Sequence, residues 1–164
     1  MDLQLENIIA DTVKNVLNER NGGNTGRTEM TLGIARTLIA AVEKKAAEMG
    51  VNAVVAVSSR EGSPIAVECM DDSFIASYDI AVNKAYTSAA LKMPTKQLSV
   101  LAAPGGSLYG IQFTNQGKIV IFGGGEPLKT ADGKVIGGLG VSGGTEEQDT
   151  ALGEYGRRFF EQNF

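Results

Sequence analysis

The glycine pair before the last predicted helix has the composition of an anion-binding turn. Gly143 and Gly144 directly precede Thr145, where backbone N–H groups and the dipole of a following helix suit a carboxylate or a phosphate. An ordinary tight turn that enters a helix explains the same residues. Glu146 and Glu147 in the first turn would already satisfy the dipole, which weakens the anion interpretation.

Other candidate residues lie in an alanine-rich stretch, after a glycine run and at a turn. If Lys84 faces a sheet, burial would lower the pKa of its ammonium group, and it could bind an anion; if it faces solvent, it is an ordinary surface lysine. Glu126 follows three glycines that are too few and wrongly spaced for a phosphate-binding P-loop. Arg60, at a predicted turn, could pair with Glu126 or with a ligand. We therefore expect a small-ligand pocket lined by Arg60, Lys84, Thr87, Glu126, Gly143 and Gly144.

The composition excludes several classes of chemistry. The 164 residues contain no histidine, no tryptophan and one cysteine, Cys69. A histidine general base, a Ser-His or Cys-His nucleophile and an intrachain disulfide are therefore excluded, and we expect no metal site and no catalytic residue. A net charge of −4 argues against a nucleic-acid partner. We expect a cytoplasmic protein with a reduced thiol, because no run has the roughly 18 apolar residues of a membrane span and the acidic N-terminus is unlike a secretory signal.

Residues 2–20 are predicted to form an amphipathic helix that is separate from the rest of the chain. Its apolar positions recur at spacings of three and four and are Leu5, Ile8, Ile9, Val13, Val16 and Leu17. Residues 21–27 have the composition of a flexible glycine-rich linker. The apolar stripe needs a partner, which is either another molecule or the core of its own domain, and the sequence leaves both open.

Residues 28–164 are predicted to form one α/β (α+β) domain. The pattern predicts a helix capped by Thr31 and ended by Gly50, a hairpin of strands 51–58 and 64–69, a helix over 73–91 and a short helix capped by Thr95. A β-branched run predicts a strand over 118–122, and Asp132-Gly133 predicts a hairpin turn between two further strands. Thr145 begins a capping box for a last helix to about residue 163. These elements predict a five-stranded antiparallel sheet flanked by helices.

Six segments of the domain, taken in their order along the chain, resemble a known family. They are residues 55–62, 70–73, 80–87, 94–95, 123–128 and 133–144. Together they resemble the GlcG/HbpS family, which includes the C-terminal domain of PduO-type proteins, over about residues 29–160. The resemblance implies a profilin-like fold, a homo-oligomer and, in some members, haem binding.

The sequence departs from this family at the position that matters most for haem. Haem ligation in the family is attributed to a histidine, and this chain has none; in addition, Ser59 stands where many members have an aspartate. Methionine, cysteine and tyrosine can also ligate haem iron. The candidates of these types are Cys69, Met70, Tyr78, Tyr86 and Met93, each of which could equally be a plain core or surface residue.

The N-terminal helix and its linker resemble the encapsulation peptides of bacterial microcompartment enzymes. PduO-type domains belong to one such system, propanediol utilisation, so both resemblances indicate the same context. We expect a non-catalytic or weakly catalytic domain that binds a small ligand, such as a haem or a corrinoid-related molecule, and that contacts a shell or cargo protein through residues 2–20. An enzyme accessory acting on a cofactor of that pathway and a structural adaptor with a vestigial pocket are the alternatives.

Overall fold

A computed structural model describes residues 29–164, so the predicted N-terminal helix and linker lie outside the described residues. The described chain contains four α-helices, four strands and two short 3₁₀ segments at 111–113 and 115–117. The helices and strands are α1 (Leu32–Glu48), β1 (Val54–Ser59), β2 (Pro64–Cys69), α2 (Ile75–Leu91), α3 (Thr95–Ala102), β3 (Gly125–Lys129), β4 (Val135–Ser142) and α4 (Glu146–Asn163). No helix within residues 29–164 is both long enough and apolar enough to span a membrane.

The strands form one antiparallel sheet in the order β2-β1-β4-β3. Both outer pairs are hairpins, and β1 lies beside β4 with Ser59 opposite Gly137. The turn that follows β1 and the turn that precedes β4 therefore lie at the same end of the sheet. This end is called the turn end below.

Helices cover both faces of the sheet. The larger core lies between the sheet and the pair α1 and α4, and it is closed by side chains such as Leu38, Leu139 and Leu152, which have no exposed surface. The smaller core lies under α2 and contains alanines and a valine instead of large side chains. Because alternate residues of a strand face opposite ways, β1 contributes Val55 to the first core and Val54 to the second.

The backbone of α2 lies directly on β4, which explains two of the glycines in this stretch. A Cβ atom at Gly138 would come 2.1 Å from the carbonyl oxygen of Ala85, and one at Gly140 would come 2.0 Å from that of Ala81. Any larger residue at either position would push the helix off the strand. The sequence pattern of small residues in α2 is therefore matched by small residues in β4.

The predicted five-stranded sheet is wrong, because residues 118–122 do not form a strand and the described sheet has four. The run is partly buried as its composition suggests, with Ile119 only 4% exposed. Its backbone, however, is held by a side chain of α2: Val120 N–H donates to the hydroxyl of Thr87 at 3.0 Å. A β-branched run with a side-chain partner of this kind needs no neighbouring strand.

The local signals at the other termini are mostly confirmed. Thr31 caps α1 by accepting a hydrogen bond from Ile34 N–H, and Thr145 forms the predicted capping box with Gln148 at the start of α4. Thr95 is different, because Pro94 takes the capping position and no side chain caps α3. The Thr95 hydroxyl accepts instead from Gly125 N–H at 2.8 Å, which fixes the start of β3 to α3.

Candidate functional site

Lys84 is completely buried at the centre of the domain. Its ammonium nitrogen lies 2.7 Å from the carbonyl oxygen of Val141 and 2.8 Å from a carboxylate oxygen of Asp149. Burial lowers the pKa of the Lys84 ammonium, and the Asp149 carboxylate opposes that shift. Lys84 thus faces the sheet, and the anion that it binds belongs to its own chain.

The surroundings of this ion pair leave no room for a ligand. The ring of Phe122 lies over the ammonium with its centroid 4.9 Å away, and a Cβ atom at Gly124 would come 2.8 Å from the same nitrogen. On the other side, Gly144 N–H donates to the second Asp149 oxygen at 2.9 Å. At the predicted anion site, the Gly144 N–H is therefore satisfied by Asp149 of the same chain, as in an ordinary internal turn.

Thr87 holds the segment between α3 and β3 in place, and it lines neither of the two cavities that are described below. Its hydroxyl lies 2.7 Å from the carbonyl oxygen of Asn83 and accepts from Val120 N–H. The predicted pocket residues Lys84, Thr87, Gly143 and Gly144 are thus parts of the internal framework. They position β3, β4 and α4 relative to one another.

Glu126 does lie in a cavity, a groove of about 570 Å³ between α3, β3 and α4. The side chain is almost completely buried, and one of its carboxylate oxygens lies 3.3 Å from Arg157 Nε. Arg157 also donates to Glu161 at 2.7 Å, so its guanidinium is shared by two carboxylates. Burial raises the pKa of Glu126 to about 7, against the opposing effect of the Arg157 charge.

This groove combines apolar walls with a titratable floor. Pro94, Val100 and Pro127 provide apolar surface, and Glu154 adds a carboxylate whose charge further raises the pKa of Glu126. A carboxyl group with a pKa near 7 can both donate and accept a hydrogen bond or a proton at neutral pH. We refer to this cavity as the Glu126 groove.

Arg60 lies away from that groove, and the alternative in which it pairs with Glu126 is wrong. It forms its ion pair with the adjacent Glu61 at the exposed turn between β1 and β2. The structure places it beside a second cavity, of about 470 Å³, at the turn end of the sheet. The six predicted pocket residues therefore occupy three separate places.

An exposed apolar surface marks the beginning of α2. Ile75 is 96% exposed, Phe74 71% and Tyr78 49%, which is unusual for side chains of this size on one helical turn. Cys69 pairs with Val54 across the β1–β2 ladder and therefore lies on the face of the sheet that α2 covers. We call Phe74, Ile75 and Tyr78 the α2 apolar surface.

The structure separates the five candidate iron ligands by their availability. The Met70 sulfur accepts from Ala53 N–H at 3.3 Å, and the Tyr86 hydroxyl accepts from the side chain of Asn115 at 3.0 Å. Met93 is only half-buried, in the segment that follows α2. Tyr78 and Cys69 are exposed, so their hydroxyl and thiol groups remain accessible as iron ligands. Among residues 29–164, no three carboxylate or thiol side chains come together to hold a bare metal ion.

Two residues that form ion pairs with the predicted candidates are not predicted from the sequence: Asp149 pairs with Lys84, and Arg157 pairs with Glu126. Asp149 lies in the first turn of α4, and an acidic residue at such a position can reach the turn before it. Arg157 has carboxylates three residues before and four residues after it in α4, a spacing that brings charged side chains together. That spacing could have indicated a charged helix face, but not its contact with Glu126.

Comparison with known proteins places these observations in a family. The family model described as haem degrading protein HbpS-like matches residues 30–158. A 15.0 kDa protein from the dhaT-dhaS intergenic region of Citrobacter freundii is 49% identical over 125 residues, which is 76% of this chain and 87% of that protein.

Two further similarities concern PduO. The corrinoid adenosyltransferase PduO of Salmonella typhimurium is 42% identical over 70% of this chain, which corresponds to 34% of that protein's length. This chain thus spans about a third of the PduO sequence that it matches. A crystal structure of a PduOC:heme complex superposes with a TM-score of 0.75 at 35% identity, covering 79% of this chain and 94% of that one.

Proposed function

Since this chain belongs to the HbpS-like family, we propose that it is a small-ligand-binding domain that functions as a homo-oligomer and takes a ligand of the haem or corrinoid class. The similarity to a protein crystallised with haem supports this class of ligand. The similarity to one part of a corrinoid adenosyltransferase supports a role beside corrinoid chemistry. Binding, and not catalysis, is the main activity in this proposal.

The α2 apolar surface carries the haem proposal. A tetrapyrrole is a flat, largely apolar molecule, and Phe74 and Ile75 offer it exposed apolar area. Tyr78 adds a phenol on the same surface, and Cys69 offers a thiol on the same side of the sheet. Tyr78 or Cys69 would hold the iron of a bound haem, and the haem would supply a redox-active iron centre. A second copy of the chain would cover the rest of the ligand.

A haemin titration tests this proposal. The full chain is mixed with haemin and the Soret band is followed; we expect a saturable shift with a defined stoichiometry. Tyr78→Phe and Cys69→Ser identify the iron ligand, and Tyr109→Phe is the matched control because Tyr109 is also exposed, at 67%, but lies in another segment. Absence of a Soret shift at micromolar protein contradicts haem binding. A shift that survives both variants contradicts this choice of site.

We also propose that residues 2–20 deliver the domain to a bacterial microcompartment in the cytoplasm by docking their apolar stripe on a shell or cargo protein. The stripe and the glycine-rich linker of the sequence support this idea. A fluorescent protein fused to residues 1–23 should collect in puncta in cells with assembled shells. Diffuse fluorescence in those cells contradicts targeting, and Leu5→Glu with Ile9→Glu should abolish the puncta.

An accessory role on a cofactor is a second candidate, favoured by the Glu126 groove. A buried carboxyl with a pKa of about 7 is suited to proton transfer at neutral pH. If the chain alters a haem or corrinoid bound in the Glu126 groove, Glu126→Gln should slow the spectral change without weakening binding. Equal rates in the two proteins contradict this role.

A further inference from the structure

The second cavity has an unusual charge for this chain. It lies at the turn end of the sheet, where the β1–β2 turn, the β3–β4 turn and the C-terminal end of α2 meet. Four of its lining residues are basic and one, Glu61, is acidic; the basic ones are Arg60, Lys92, Lys129 and Lys134. The chain as a whole has a net charge of −4, so this concentration of positive charge is local. We call this cavity the basic cleft.

The positive charges of the cleft are mostly not neutralised by the protein. Arg60 pairs with Glu61, and within residues 29–164 none of the three lysines forms an ion pair. Asp132, in the same turn, interacts electrostatically with Lys134, and Glu29 interacts electrostatically with Arg60. Three lysines around one cavity repel one another, and an anion between them would relieve that repulsion.

We propose that the basic cleft binds a multivalent anion, one that carries two or more phosphate or carboxylate groups. A single exposed lysine holds an anion only weakly, whereas several cations from three different segments can hold different groups of one ligand at the same time. The cleft has a volume of about 470 Å³, which admits a molecule of the size of a polyphosphate or a tricarboxylate. Arg60 adds a guanidinium that can bind two oxygens of one such group.

The backbone holds one of these lysines in place. Lys92 follows the last residue of α2 in the left-handed conformation, with φ +58°, which ends the helix and fixes the start of its side chain beside the cleft. Its positive charge also lies next to the negative end of the α2 dipole, where a cation is favoured. The site is distinct from the α2 apolar surface, which lies at the opposite end of the same helix.

Calorimetric titration of the full chain with inorganic tripolyphosphate tests the proposal. At about 20 mM salt we expect saturable binding that weakens steeply as salt is added, since exposed charges are screened. Monophosphate should bind more weakly than tripolyphosphate. Citrate in place of tripolyphosphate shows whether carboxylates are accepted as well as phosphates.

Variants assign the binding to the cleft. Lys92→Asn, which tolerates the left-handed backbone, combined with Lys134→Gln should reduce the affinity by about five- to tenfold. Lys44→Gln is the matched control, because Lys44 is an exposed lysine on α1, which covers the other face of the sheet. No saturable heat at low salt, or an equal loss in the control variant, overturns the proposal. Haemin titration of the same variants should be unchanged, so the two proposed sites can fail independently.

Discussion

Lys84 and Asp149 form an ion pair of 2.8 Å in which the side chains are 0% and 5% exposed. The pair joins the middle of α2 to the first turn of α4, and the Val141 carbonyl brings the end of β4 into the same cluster. Both carboxylate oxygens are used, because Gly144 N–H bonds the second one. These residues therefore connect α2 to β4 and α4, which come much later in the sequence.

Removing one partner should cost far more than the pair contributes. Lys84→Met leaves the Asp149 charge buried without its cation, and we expect a loss of about 3–5 kcal/mol in the free energy of unfolding. Urea unfolding followed by circular dichroism measures it. Lys45→Met, which breaks the exposed Lys45–Glu48 pair, is the control and should cost under about 1 kcal/mol. Equal losses in the two variants would contradict a structural role for Lys84.

Gly124 should tolerate alanine much less than another glycine with a similar backbone. Gly124 has φ +108°, and a Cβ atom there would lie 2.6 Å from the Val141 carbonyl oxygen and 2.8 Å from Lys84 Nζ. Gly133 has φ +84° but nothing within 4 Å of such an atom. We expect Gly133→Ala to cost about 1–2 kcal/mol for the backbone alone, and Gly124→Ala at least about 2 kcal/mol more. Thermal unfolding of both variants compares them directly, and similar melting temperatures would contradict the close packing around Gly124.

The stability of the domain should depend on the protonation of Glu126. The pKa of this group is about 7 in the folded protein, above its ordinary 4.5, so the folded state holds the proton more tightly than the unfolded one. Its contribution is fully present below pH 4.5 and is lost as the pH rises through 7, by on the order of 1–3 kcal/mol.

The Glu126→Gln variant isolates this effect, because glutamine resembles the protonated acid. The stability difference, variant minus wild type, should increase between pH 5 and about 8. Chemical unfolding at several pH values measures it, with Glu147→Gln, an exposed residue on the neighbouring α4, as the control. A difference that stays constant over this range would show that Glu126 is ionised throughout.

Removal of residues 1–27 should leave the stability of the domain nearly unchanged. The core that α1, α4 and the sheet enclose is closed by described residues, among them Leu38, Val42 and Leu152 with no exposed surface. We expect a change below about 1 kcal/mol in the free energy of unfolding of the truncated chain. A loss of several kcal/mol would show that residues 2–20 pack as a core helix, and it would contradict the targeting proposal.

Much of the fold follows from local signals. The Thr145–Gln148 capping box and the Asp132-Gly133 turn each act over a few residues, and both occur where the sequence predicts them. The strand predicted over 118–122 does not form, since a β-branched run does not show whether a neighbouring strand or a hydroxyl such as that of Thr87 will bond its backbone. Short-range patterns thus predict caps and turns better than they predict whether an apolar run becomes a strand.

The candidate sites were less predictable for the same reason. Lys84 and Asp149 are 65 positions apart, and no spacing rule joins them. Lys84 was recognised as a residue that could be buried, but its anion could not be identified without the packing of α4. Arg60 and Glu126 were both recognised, and only the strand order shows that they line different cavities.

The contact between α2 and β4 has a mechanical consequence. Gly138 and Gly140 let the helix backbone rest on the strand with no layer of side chains between them that could be compressed. We therefore expect α2 and β4 to move as one rigid unit. One end of this unit carries the exposed phenol of Tyr78, and the other end carries the lysines beside the β3–β4 turn.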